Sequence, residues 1–257
     1  MYDRHAVCFG LNYHRTPRVR LRGCINDVKN IEKLLKTKEY NFTDVRVFTD
    51  NEPNPHTTYD KILEELELLA ARSIDLELET VWIHFAGHGT QSIDENGDEV
   101  DRKDECIVPS DHDKGKLIKD DDIKKILRTF NPSTKIICVF DCCHSGTLGD
   151  LKYRYTNSNT NPRIESNEPA CKSNIIFISG CMDNQTSADA YNVRGRRQFS
   201  GAMTSCLLLT LDEARKQNKM NVFHILSTLK EHLHKRRYRQ IPQLTTSYKI
   251  GAGEMLI

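Results

Sequence analysis

Two apolar runs in this chain end in side chains capable of covalent chemistry. The first, Ile83-His-Phe-Ala-Gly-His-Gly89, ends in an imidazole set between glycines; the second, Val139-Phe-Asp-Cys-Cys-His-Ser-Gly146, ends in adjacent thiols. A cysteine is a useful nucleophile only as thiolate, and a nearby imidazole is the usual means of generating or stabilising that thiolate near neutral pH. A hydrolase built on Cys143 and His88 is therefore the leading reading. Three others stand beside it. The cysteines can be core residues and His88 a turn residue. Cys142, Cys143 and His144 can be metal ligands, although three consecutive side chains point apart. The glycines around His88 can cradle phosphate, although no GxxxxGK[ST] pattern accompanies them.

Strand alternation separates the two thiols. Ile137, Val139, Asp141 and Cys143 share one parity, and Cys138, Phe140 and Cys142 the other, so one thiol faces a cleft and Asp141 faces the same way. In an open parallel sheet, ligands and catalytic groups gather beyond the carboxyl ends of the strands. If the two strands are neighbours, their backbones run about 4.8 Å apart and side chains leaving the same edge can meet.

The elements that must position these residues alternate along the chain. Strand-like runs fall at Ala6 to Leu11, Val45 to Phe48, Thr80 to Phe85, Thr134 to Phe140 and Asn174 to Ile178. Helical spacing marks Asp27 to Lys36, Tyr59 to Ser73, Asp121 to Thr129, Ala202 to Gln217 and Val222 to Arg236. The pattern predicts βαβ units and a mainly parallel sheet flanked by helices, with Gln243 to Tyr248 as an added edge strand. The segment 153–172, rich in Asn, Ser, Thr and Pro, reads as a mobile surface loop within one domain spanning 1–257.

Charge is close to balanced, with 37 Lys plus Arg against 36 Asp plus Glu, which gives no general reason to expect nucleic acid or an anionic membrane as partner. The basic run His234 to Arg239 sits at a predicted helix end, where it suits the helix dipole. The longest apolar stretches are strand-sized and the start lacks the plan of a secretory signal, so a cytoplasmic protein is expected. Nine cysteines without a CxxC pair suggest neither a disulfide framework nor a zinc finger.

Four motifs in one order, Phe85-Ala-Gly-His-Gly-Thr-Gln91, Asp141-Cys-Cys-His-Ser-Gly-Thr147, Ser179-Gly-Cys-Met-Asp-Asn-Gln-Thr-Ser-Ala-Asp189 and Pro242-Gln-Leu-Thr-Thr-Ser247, resemble the metacaspases. These are cysteine peptidases of caspase-like fold, and the resemblance runs from about Ala6 to the C-terminus. It implies a caspase-like α/β domain with a sheet of about six strands. Its large-subunit-like part is about 1–152 and its small-subunit-like part about 173–257. The short gap between Cys143 and Ser179 is similar to the type I arrangement, here expected to lack the N-terminal extension of many type I members.

The resemblance also implies roles. Cys143 is the nucleophile, His88 its base and then the general acid, and the backbone N–H groups of Gly89 and Cys143 form the oxyanion hole. Gly23-Cys-Ile-Asn-Asp27 matches the segment after the family's first strand, which puts Asp27 with Asp141 in an acidic pocket for Arg or Lys and Cys24 in its wall. Asp27 read alone is equally a first-turn helix residue.

Carboxylates crowd the stretch from Asp94 to Asp122, and such density read alone is a solvated loop or, at Asp120 to Asp122, a helix start. By resemblance, Asp104, Asp120, Asp121 and Asp150 hold an activating calcium ion. Lys152, Arg154, Arg163 and Lys172 then offer bonds for self-processing. The expectation is a monomeric, calcium-activated endopeptidase cleaving protein or peptide substrates after Arg or Lys. Two alternatives are a calcium-dependent scaffold of the same fold, and an amidase or transpeptidase acting on small amides.

Overall fold

The computed structural model describes residues 3–93, 103–142, 149, 151–156, 161–165, 171–180, 189–191 and 199–257. In chain order the elements are β1 (Arg4–Gly10), α1 (Cys24–Leu35), β2 (Asp44–Thr49), α2 (Tyr59–Asp75), β3 (Thr80–Ala86), β4 (Gly89–Ile93), β5 (Lys103–Ile107), β6 (Ile118–Lys119), α3 (Asp120–Leu127) and β7 (Lys135–Asp141). They continue with β8 (Tyr153–Tyr155), β9 (Arg163–Ile164), β10 (Asn174–Ser179), β11 (Asp189–Tyr191), β12 (Phe199–Gly201), α4 (Ala202–Lys216), α5 (Val222–Lys235) and β13 (Gln243–Thr246).

The central sheet runs β2-β1-β3-β7-β10-β13-β8-β9, parallel through β10 and antiparallel beyond it. Its inner strands read as unbroken apolar runs because helices cover both faces. Trp82, Ile137, Val139 and Ile176 pack toward α1, α4 and α5, while Ile83, Phe85, Cys138, Phe140 and Phe177 pack toward α2 and α3. The parity read from the sequence therefore holds from Ile137 to Cys142. Buried Cys8 and Cys138 have thiols pushed well up by burial, and Cys206 is pushed up to about 12, so these are inert core residues. Among the described residues no helix is long and apolar enough to cross a membrane.

Several expectations need correction. The sheet has eight strands rather than six, because the polar segment 153–172 is not a simple loop: β8 and β9 lie within it and extend the sheet. Strand β13 is consequently an inner strand, flanked by β10 and β8, and its Leu244 sits opposite Tyr155. The acidic stretch is not wholly solvated either. Strands β4, β5 and β6 form a separate three-stranded antiparallel sheet, in which Asp104 and Glu105 are buried, as is Asp120 at the start of α3.

The register of β3 on β7 decides what meets at the sheet's carboxyl edge. Ala86 pairs with Asp141, and the Gly87 N–H donates to the Asp141 carbonyl at 3.3 Å. His88 follows two residues after Ala86 in the sequence, and Cys143, the other member of the proposed dyad, two residues after Asp141.

Candidate active site

His88 is held on three sides. Its backbone N–H donates to the Tyr13 hydroxyl at 2.8 Å, its carbonyl accepts from Val108 N at 3.0 Å, and its ring Nε2 lies 2.6 Å from the Val19 carbonyl. A carbonyl oxygen can only accept, so this contact assigns the proton to Nε2 and leaves Nδ1 as the basic nitrogen of the neutral ring. That is the tautomer a thiol-activating imidazole needs.

Tyr13 is a positioning residue that sequence reasoning missed. Its hydroxyl takes the His88 N–H and donates to the Val108 carbonyl at 2.8 Å, while its ring lies 4.7 Å from the imidazole at an interplanar angle of 35°. Burial raises its hydroxyl pKa well above the ordinary value, so it stays a neutral donor. It adopts a left-handed backbone (φ 55°), fixed from both sides by buried Asp50, whose carboxylate accepts from Asn12 N at 2.9 Å and His14 N at 3.2 Å. A Cβ on Gly87 would stand 2.8 Å from the Tyr13 hydroxyl, which explains the glycine before the histidine. The signal for Tyr13 was its place just past β1, at the catalytic edge of the sheet.

Tyr13→Phe strands the His88 N–H and the Val108 carbonyl. The expected cost is about 1–3 kcal/mol of stability and, with His88 as the expected base, roughly a tenfold loss in kcat with KM held, because the substitution moves the imidazole rather than the substrate. Steady-state kinetics beside a thermal melt separates these effects; loss of stability with kcat unchanged would leave Tyr13 a purely structural residue.

Asp27 and Asp141 are brought together. Both are buried, one from the first turn of α1 and one from the end of β7. Asp27 Oδ2 accepts from Gly201 N at 2.6 Å, and Asp141 Oδ2 accepts from Thr204 N and Oγ1, each at 2.8 Å. A Cβ on Gly201 would come within 2.9 Å of Asp27 Oδ2 and closer still to Asp141 Oδ2, so the carboxylates face one another across a glycine. Gly201 also caps α4 without a side chain, and Asp141 supplies the missing acceptor from a neighbouring strand.

Further groups hold Asp141. Gln240 Nε2 lies 3.4 Å from its Oδ1, and the Thr204 hydroxyl, having donated to Oδ2, accepts from His84 Nε2 at 3.3 Å. Burial pushes His84 down to about 3, which keeps this link neutral. The bare Gly201-Ala-Met-Thr204 helix start, lacking a side-chain cap at its first position, was the one sequence hint that a partner lay elsewhere. Cys24 opens α1 one turn before Asp27, buried, with its N–H donating to Asn12 Oδ1 at 3.0 Å.

In the acidic region, Asp120 Oδ2 accepts from Glu105 N at 3.1 Å and its Oδ1 from Asp121 N at 2.9 Å, while Lys119 Nζ sits 2.7 Å from Asp104. Burial, with the nearby Glu105 and Asp104 charges, outweighs these backbone bonds and pushes the Asp120 carboxyl up to about 8. Among the described residues no three His, Cys, Asp or Glu side chains are grouped to hold a metal ion. Cys143 and Asp150 lie outside the described residues, and Gly89 opens β4 directly after His88.

Residues 4–152 match the family model for the metacaspase, peptidase C14 domain. The chain is 32% identical to Metacaspase-3 of Trypanosoma brucei brucei, over 97% of this chain and 72% of that protein. It is 30% identical to Metacaspase-1 of Meyerozyma guilliermondii, over 95% of this chain and 70% of that one. Among solved structures, a Geobacter sulfurreducens protein matches with TM-score 0.64 at 21% identity, covering 99% of this chain and all of that one. Pro-sf-caspase-1 matches with TM-score 0.57 at 13% identity, over 95% of this chain and 87% of its own. The structural likenesses speak for a caspase-like fold, and the sequence relationships say more: the chain belongs to the metacaspase family, peptidase C14, and so to the cysteine peptidases.

Proposed function

We propose that the protein is an endopeptidase that cleaves after Arg or Lys, with Cys143 as nucleophile and His88 as base. The observation that supports the preference best is the buried pair Asp27 and Asp141, facing each other across Gly201 at the edge from which His88 also emerges. Two carboxylates in a partly dry pocket favour a cationic side chain, and guanidinium most, because its planar fork can meet both.

In this reading the Cys143 proton passes to His88 Nδ1 and the sulfur adds to the peptide carbonyl carbon. The backbone N–H groups of Gly89 and Cys143 receive the negative charge that forms on oxygen. The C–N bond then breaks, the departing amine takes the proton from His88, and an acyl-enzyme remains. Water gives a proton back to His88 as its oxygen adds to the acyl carbon; the C–S bond breaks, releasing the new carboxyl end and the thiolate. The Val19 carbonyl keeps the ring in one orientation throughout.

Calcium activation belongs to the same proposal. The donor set suits a hard cation: Asp104 and Asp120 offer buried carboxylate oxygens, with Asp121 beside them and Asp150 seven residues beyond Cys143. A bound calcium ion would supply the positive charge that lets these carboxylates share one place. For self-processing, Lys152 and Lys172 are better placed than Arg154 and Arg163, which face each other within the paired strands β8 and β9, Arg154 also bonding Gln243 Oε1 at 3.1 and 3.2 Å.

A panel of peptides differing only in the residue before the cut, assayed with calcium and with chelator, tests both parts. Arg and Lys peptides are expected to exceed Asp and neutral peptides in kcat/KM by about a hundredfold or more, and chelator to abolish most of the rate. Equal rates across the panel would overturn the pocket assignment; equal rates with and without calcium would overturn the cation's role.

A further inference from the structure

The connection from β1 to α1 carries a concentration of charge that the catalytic chemistry leaves unused. Between His14 and Gly23 it holds Arg15, Arg18, Arg20 and Arg22 and no carboxylate, in a chain whose charges otherwise nearly cancel. All four side chains are exposed. Arg15 reaches the Pro53 carbonyl at 3.0 Å, and Arg22 lies over the Phe199 ring at 5.1 Å. Among the described residues no carboxylate pairs with Arg15, Arg18 or Arg20.

The position of this charge gives it meaning. Arg18 and Arg20 directly flank Val19, whose carbonyl holds His88 Nε2 at 2.6 Å. Neighbouring Cα atoms are about 3.8 Å apart, so both arginines spring from the backbone that touches the imidazole, on the scale of the Debye length of about 8 Å at physiological ionic strength. The loop is also fixed: Leu21 N donates to the Asn12 carbonyl at 3.0 Å and Val19 N to the Thr16 carbonyl at 3.1 Å. A guanidinium-rich rim thus stands behind the ring that must hand a proton to the departing amine. In the catalytic reading the chain following the cut bond begins at that amine, which makes the leaving side the part of the substrate nearest this rim.

We infer that the Arg15 to Arg22 loop selects substrates with acidic residues immediately after the cut bond. The inference rests on the reading of His88 and Cys143 as the catalytic pair, and not on the identity of the residue before the cut. A rim of positive charge on the leaving side favours Asp or Glu just after the cut bond and disfavours runs of Lys and Arg there. Exposed charges of this kind act over several ångströms and are screened by salt, so the effect is a graded bias in rate rather than an absolute requirement.

The test uses peptides identical up to the cut and carrying Asp/Glu, Ser/Ala or Lys at the first three positions after it, with kcat/KM measured at low and high ionic strength. Wild-type protein is expected to cut the acidic series about three- to tenfold faster than the basic one at low salt, with the gap closing as salt rises. The double variant Arg18→Glu/Arg20→Glu is expected to reverse the order, and Arg18→Gln/Arg20→Gln to flatten it; both positions are exposed, and circular dichroism checks that each variant is folded. Cleavage that ignores charge on the leaving side, or an order unchanged by charge reversal in the folded variant, overturns this inference alone. Failure of the wild type to cut any peptide overturns the catalytic reading and this inference with it.

Discussion

Changing His88 to alanine is expected to lower kcat for peptide hydrolysis by about three orders of magnitude while leaving the fold intact. General acid–base catalysis by one positioned side chain contributes about 10²–10⁴-fold, and in the proposed mechanism His88 carries both halves of it: proton acceptor for the thiol and donor to the amine. The fold is spared because the features that fix this segment are main-chain ones. The His88 N–H still reaches Tyr13, its carbonyl still receives Val108 N, and among the described residues the ring's hydrogen bond and ring contact are with Val19 and Tyr13. A melt within a degree or two of wild type with turnover nearly lost is the expected result. A modest loss, less than tenfold, would mean that some other group activates the thiol.

The second large effect concerns the acidic pair. Asp27→Asn keeps an oxygen that can accept from Gly201 N, now at 2.6 Å, so helix α1 and the start of α4 stay in register. It removes a charge and sets amide hydrogens where guanidinium hydrogens would lie, replacing attraction by donor–donor opposition. kcat/KM for an Arg peptide is expected to fall about a hundredfold, which is about 2.7 kcal/mol of transition-state binding. Lys peptides fall less, since a compact ammonium can move toward Asp141. Titrating both peptides against the variant checks this; equal losses on Arg, Lys and neutral peptides would make Asp27 a residue of folding rather than recognition. Asp141 is the poorer choice for the experiment, because its carboxylate also caps α4 through Thr204.

How much of this was legible in the sequence depended on the range of the interactions. The inner strands were plain because burial on both faces leaves continuous apolar runs, and the helices because Ile31, Leu34 and Leu35 repeat on one stripe. The parity of Asp141 against Cys142 followed from strand geometry, and Val139 and Phe140 do face opposite cores. Asp27 beside Asp141 came from family likeness; nothing local to either residue announces that Gly201, far along the chain, lies between them.

What escaped was polar. Strands β4 to β6 were hidden because buried Asp104, Glu105 and Asp120 carry the composition of a solvated loop, and Asp120 draws on the Glu105 and Asp121 backbone N–H groups across distances that composition cannot reveal. β8 and β9 were hidden likewise: a three-residue strand and a two-residue strand have no periodicity to detect, and they exist because β13 offers an edge. Tyr13 bonds a backbone group 75 residues away, and Val19 acts through its carbonyl alone, which any residue type provides. The proposed dyad could be named from the sequence because its chemistry resides in side chains; the groups that hold His88 could not, because they are mostly backbone.

The central claim is that the Cys143 thiol shares its proton with His88, and the pH dependence of thiol alkylation tests it most directly. Wild-type and His88→Ala proteins are treated with iodoacetamide across a pH series, and each cysteine is followed by peptide mass spectrometry. Cys171, the one described cysteine that is not buried, serves as the internal reference. The account predicts that Cys143 reacts first, with an apparent pKa below the usual thiol value of about 8.5, and that the advantage disappears in His88→Ala. Alkylation of Cys143 no faster than Cys171, or equally fast without the imidazole, would contradict it.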